Sequence, residues 1–176
     1  MKAWRINPLF QLGLAAATGG LLIGLVSRQS IAELNQRHLL TELADNHMRS
    51  LVAGHLVDVA SPDSRTVAAW FVGKVNFAPP APDLTAAGYK LSGGRVEYVA
   101  GRMAAALAYQ FGAHIISVFL WPETSGEAPL AATAIPEHGH RIFGWSANGL
   151  RCYAVADLTE HDLRDFAAAF QAKATP

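Results

Sequence analysis

Apolar residues fall along this chain in successive regimes: an unbroken run, then positions spaced by three and four, then short clustered runs. The unbroken run extends from Pro8 to Ser27 (PLFQLGLAAATGGLLIGLVS) and contains no charged side chain. At about 1.5 Å per helical residue it would span about 30 Å, the thickness of a bilayer's hydrocarbon core. The pattern predicts a single transmembrane helix. A cleaved signal peptide is the main competing reading, but it would have a shorter apolar core and a small-x-small site. Here Val26-Ser27-Arg28-Gln29 follows instead. A buried core helix of this length would ordinarily carry a polar face. Lys2 and Arg5 precede the run and no acid occurs before Glu33, which favours a cytoplasmic start and an extracytoplasmic remainder. The small-residue spacings Ala15/Gly19 and Gly20/Gly24 offer a face for homodimerisation.

From Ile31 to Val57, Leu40, Leu43, Ala44, Met48, Leu51, Val52 and Leu56 form one stripe at helical spacing. This predicts an amphipathic juxtamembrane helix packed on the domain, the bilayer surface or a second copy. Ser61-Pro62-Asp63 restarts the chain with a cap, a first-turn proline and an acid, and Val67, Trp70, Phe71 and Val75 keep the 3.6 period. A short helix over Pro62 to Val75 is expected, with a strand as the alternative. Pro79-Pro80-Ala81-Pro82 then breaks regular structure.

Strand-like runs follow at Tyr89–Leu91, Arg95–Val99, Met103–Tyr109 and His114–Trp121, separated by Gly93-Gly94, Ala100-Gly101 and Phe111-Gly112. Such short connections predict an antiparallel meander. The last run is apolar on both faces, as suits a central strand. Glu123 to His140 reads as a loop. Arg141–Ser146 and Leu150–Ala156 form a hairpin about Asn148-Gly149, which tolerates the positive φ of a tight turn. Thr159 caps a final helix with Asp162 three residues on, and Leu163, Phe166, Ala167 and Phe170 supply its core face. The fold class is α+β: an antiparallel sheet with helices on one face or at its ends. The expected organisation is a cytoplasmic start and membrane helix over 1–28, the juxtamembrane helix over 29–60 and an extracytoplasmic domain over 61–176.

Composition narrows the chemistry. Fourteen basic and fourteen acidic residues cancel, and no stretch is strongly basic, which argues against a nucleic-acid surface. Cys152 is the sole cysteine, so an internal disulfide and any multi-cysteine zinc site are excluded. It falls inside an expected strand with no base beside it and reads as a small core hydrophobe. His138-Gly139-His140, next to Glu137, is the cluster most like a set of metal ligands, but spacing indicates no third ligand, and no cofactor is expected. His47 and His55 are two turns apart, about 12 Å along a helix, too far for one ion. They read as the boundary of the buried face. No nucleophile elbow or phosphate cradle is found, and no enzymatic activity is expected.

The stretches His47–Ser61, Thr66–Pro80 (TVAAWFVGKVNFAPP), Asp83–Gly101 (DLTAAGYKLSGGRVEYVAG), His114–Pro122 (HIISVFLWP) and Trp145–Phe166 resemble the extracytoplasmic part of transmembrane anti-sigma factors, a family of membrane-spanning transcriptional regulators. Members of that family hold a sigma factor through an intracellular segment, often with a zinc-binding His-x-x-x-Cys-x-x-Cys element. In this chain only Met1 to Asn7 precede the apolar run, and the sole cysteine lies far downstream. No residue here corresponds to that element. The resemblance therefore implies an anti-sigma-factor-like regulator in a bacterial inner membrane, signalling through its outer domain to a sigma factor or a separate anti-sigma chain. An anchored module for a lipid or other apolar ligand is the alternative. Leu43, Met48, Leu51, Trp70 and Trp121 are the candidate partner or pocket residues, with Trp70 and Trp121 expected near the mouth of a pocket.

Overall fold

Alternation with period two places every other residue of a strand on the same face, and here both faces of the sheet are apolar. The computed structural model describes residues 31–52, 54–124 and 135–174. The apolar run 8–27 lies outside them, and among the described residues no helix is long and apolar enough to cross a membrane. The chain divides into two compact units, Met1–Arg37 and His38–Pro176. Of the first, residues 31–37 are described, and they are helical and exposed. The sheet and the helical residues packed against it belong to the second.

Helix α1 covers residues 31–52. Among the described residues seven strands follow: β1 (Val59–Ala60), β2 (Lys90–Val99), β3 (Arg102–Phe111), β4 (His114–Pro122), β5 (Ile135–Glu137), β6 (His140–Ala147) and β7 (Leu150–Ala156). Helix α2 (Ser64–Trp70) lies between β1 and β2, and α3 (Glu160–Lys173) closes the fold. The strands form one sheet in the order β1-β2-β3-β4-β7-β6-β5, and every pairing is antiparallel. The α+β class with an antiparallel sheet and a C-terminal helix is thus present. The order is two meanders joined where β4 pairs with β7, so the second hairpin adds to the sheet rather than standing beside it.

Helices cover both faces of the sheet, not one. On the first, Leu107, Tyr109, Ile116, Val118 and Cys152 pack against Val67 and Phe71 near α2 and against Leu163, Phe166 and Phe170 of α3. On the second, Ala104, Ala106, Phe119, Trp121, Tyr153 and Val155 pack against Leu40, Leu43 and Ala44 of α1. The residues of α1 that supply that second core fall in the same compact unit as the sheet, His38–Pro176. Of the expected helix over 29–60, residues 31–52 are helical among the described residues, and Val59–Ala60 is a strand. Helix α3 has the expected cap: Thr159 and Asp162 bond each other's backbone N–H in a capping box.

Three local expectations change. Gly93-Gly94 is not a turn. Both glycines lie inside β2, opposite Ala60 and Val59 of β1, with a register shift between Leu91 and Gly93. A Cβ on Gly93 would stand 2.0 Å from the Val59 carbonyl oxygen, and one on Gly94 would stand 2.8 Å from the Phe71 ring. These glycines let a strand and an aromatic ring approach closely. Helix α2 is also shorter than Pro62 to Val75, and its N-cap is Asp63, whose carboxylate accepts from the Thr66 N–H. Finally, the Glu123–His140 segment contains β5, and His138-Gly139, with φ of 47° and 82°, makes a tight hairpin turn into β6.

Candidate functional site

The β5–β6 turn, the centre of β4 and the β2–β3 turn all meet α1, and polar side chains mark each contact. Position 117 is on the second face of β4, where its neighbours Phe119 and Trp121 are core. Serine there needs a hydrogen-bond partner because an unpaired buried hydroxyl is costly. His47 of α1 provides it: Nδ1 lies 2.8 Å from Ser117 Oγ. Ser117 is 0% and His47 1% exposed. The His140 ring meets that of His47 edge to face, with centroids 4.9 Å apart, and His140 Nδ1 is 3.2 Å from the His138 carbonyl oxygen. One turn farther along α1, Ser50 Oγ donates to the His47 carbonyl at 2.7 Å.

Charged and hydroxyl groups ring this centre. Thr41 Oγ1 donates to Glu137 Oε1 at 2.9 Å, and His138 Nδ1 stands 3.7 Å from Asp45 Oδ1. At the β2–β3 turn, Glu42 Oε2 accepts the Ala100 N–H at 2.9 Å. Arg95, buried on β2, donates from Nε to Glu97 Oε1 at 2.7 Å and from NH1 to the Leu56 carbonyl at 2.8 Å. Its guanidinium carbon lies 5.6 Å from the centre of the Phe119 ring, a cation–π distance. Arg95 thereby ties the segment after α1 to the sheet.

Burial, reinforced by the neighbouring His140 and Arg95 side chains, lowers the pKa of His47 to about 4; Asp157 opposes this weakly. The imidazole is therefore neutral at neutral pH. The His47–Ser117 distance suits a base and a nucleophile, but both side chains are sealed from solvent, so no substrate can reach the hydroxyl. The contact is broken when α1 leaves the sheet; protonation instead makes Nδ1–H a donor that the Ser117 hydroxyl can accept, so its cost lies in burying the charge.

The candidate residues from the sequence separate clearly. Leu43 is fully buried at the centre of the second core and Met48 is half-buried, whereas Leu51 is 43% and Val52 90% exposed. The stripe therefore leaves the sheet after Ser50. His138 and His140 are brought to α1 by their hairpin, and among the described residues no group of three or more His, Cys, Asp or Glu side chains is arranged to hold a metal ion. Trp70 and Trp121 are not brought together. Trp70 packs on the first core, edge to face with Phe71 at 5.1 Å. Trp121 is buried in the second core, stacked on Tyr153 at 5.2 Å. Cys152 faces the first core, where burial, with a smaller effect from Glu123, pushes its thiol up to about 12.

Sequence reasoning missed Ser117, Arg95 and the burial of His47. The signal for Ser117 was present as the single polar residue within Ile115–Trp121, since a hydroxyl in a strand covered on both faces needs a partner. For His47, its spacing from Leu40, Leu43 and Ala44 placed it on the stripe rather than beside it. Compared with protein-family models the chain has no match, and among curated proteins none matches either.

Proposed function

We propose that the chain is a membrane-anchored regulator of the anti-sigma type, signalling through protein contacts that α1 makes or releases as it docks on the sheet. The observation that supports this reading is the polar, titratable contact within the helix–sheet interface: His47, Ser117 and His140 beneath α1. An interface held only by apolar side chains would be stable but indifferent to small changes. A buried polar contact is strongly favourable when satisfied and costly when broken, which is what a two-state element requires. Leu51 and Val52, exposed at the end of α1, add apolar surface for a partner chain.

The test is recovery of partners from bacterial cells. The full chain, tagged at its C-terminus and crosslinked before extraction, should bring down a sigma factor or an anti-sigma chain. Leu43→Asp, which forces α1 off the sheet, should change that recovery by at least about fivefold, the low end of coupling between linked sites. Recovery of neither partner rejects the anti-sigma part. Recovery unchanged by Leu43→Asp rejects α1 as the signalling element.

A second reading, an anchored module for a lipid or another apolar ligand, draws on a furrow on the face opposite α1, walled by α2, the proline-rich segment and the end of α3.

A further inference from the structure

That furrow has a volume of about 780 Å³, within the range of small-molecule sites. Ala68 of α2, Phe77, Pro79 and Leu150 form apolar walls, and Arg65 and Lys173 are the charged groups that line it. A second depression of about 440 Å³ shares Ala68, Phe77 and Pro79 with the first and continues to Val72 and Val75, with no charged residue in its lining. The two depressions share a wall, and Arg65 and Lys173 line only the first of them.

Arg65 and Lys173 form no ion pair among the described residues. Asp63 and Asp83 lie near enough to feel these charges, but each is held by its own turn: Asp63 by Thr66, and Asp83 by the Thr85 N–H at 2.9 Å. Ser64 Oγ, also in the furrow's wall, is buried without a hydrogen-bond partner among the described residues. Asn148, in the same lining, spends its amide on the Ala174 carbonyl at 2.7 Å. The lining thus offers two cationic side chains to an anion, with the Asp63 and Asp83 carboxylates close by.

The walls argue against an extended peptide as occupant. Pro79, Pro80 and Pro82 have no N–H, and alanine and phenylalanine side chains donate nothing, so a peptide backbone would bury carbonyls against surfaces poor in donors. A hydrocarbon chain needs no such partners and gains by leaving water.

We propose that this furrow binds a single acyl chain with an anionic head, the head between Arg65 and Lys173 and the chain running past Phe77 toward Val72. The proposal deepens the apolar-ligand reading and rests on it alone. Failure of the sigma-factor experiment leaves it standing. The head chemistry is shared by a free fatty acid and by the phosphate of a lysophospholipid.

The experiment uses the full chain in phosphatidylcholine nanodiscs with a diazirine-bearing palmitate, and maps adducts by mass spectrometry. Adducts are expected within residues 72–82 or at Leu150. Arg65→Glu with Lys173→Glu should cut labelling roughly tenfold, corresponding to about 1.4 kcal/mol. Arg65→Lys with Lys173→Arg should keep it within about twofold, because charge is retained. Both positions are exposed, so folding should survive, and an unchanged melting temperature checks this. The diazirine-bearing fatty alcohol, used on the unaltered chain, should label about tenfold less than the acid, by the same loss of head-group charge. Equal labelling by the alcohol overturns the anionic head while the apolar-ligand reading stands. Adducts only elsewhere, or none, overturn both. Unlabelled palmitate and lysophosphatidic acid compete separately: stronger displacement by one identifies the source of the head, and displacement by neither overturns the proposal.

Discussion

His47 of α1 and Ser117 of β4, seventy positions apart in sequence, share a 2.8 Å hydrogen bond inside a largely apolar core. Their contact makes the docking of α1 sensitive to protonation, and three expectations about the compact unit follow from it and from the packing around it.

Stability should fall as the medium is acidified from pH 6.5 toward pH 4. The ordinary histidine value is 6.5 and burial lowers that of folded His47 to about 4, so the unfolded chain binds the extra proton across that window. Stability from this group is complete above 6.5, declines as pH drops and is lost below about 4, a change on the order of 3 kcal/mol. His140, Arg95 and Asp157 bear on the same imidazole. The comparison with His47→Gln therefore isolates it: urea midpoints measured across the window should slope less in the variant. Parallel slopes would show that another group carries the dependence.

Leu43→Ala should destabilise the unit by about 2–5 kcal/mol, because the side chain is fully buried between α1 and the sheet. The loss should be local before it is global. Hydrogen exchange should accelerate in residues 40–50 well before β3 and β4 lose protection, since α1 touches the sheet from one side only. Uniform acceleration in every strand would contradict the idea that α1 is a separable element.

Gly93→Ala should cost more than an ordinary surface substitution, at least about 2 kcal/mol, combining backbone strain with overpacking. Gly93 has φ 147° and sits where a Cβ would collide with the Val59 carbonyl. The expected outcome is loss of β1 pairing, seen as rapid exchange of the Asp58 N–H, which donates to the Gly94 carbonyl at 2.9 Å in the intact fold. Retained protection at Asp58 would mean that β1 can shift without cost.

Turn chemistry and strand period were legible wherever one local rule decided the outcome. Asn148-Gly149 and Ala100-Gly101 are the expected tight turns, with positive φ at each residue. The Thr159–Asp162 capping box and the core face of α3 also follow from positions three and four apart. Gly93-Gly94 reads locally as a turn for the same reason, yet it is strand, because the need for small residues came from β1 and Phe71 on other parts of the chain. His138, beside His140, reads locally as only a weak metal-ligand candidate. In the fold it makes a turn with Gly139, and its hairpin sets both imidazoles against α1.

The sequence alone determined strands β3, β4, β6 and β7, helix α3, the turns at Ala100-Gly101 and Asn148-Gly149 and the α+β class, because hydrophobic period, caps and turn residues act over a few positions. Tertiary structure decided the join of β4 to β7, the use of α1 as the cover of the second face and the partnership of His47 with Ser117. Those depend on which buried surfaces and hydrogen-bonding groups find each other across long stretches of chain, and no local pattern records that choice.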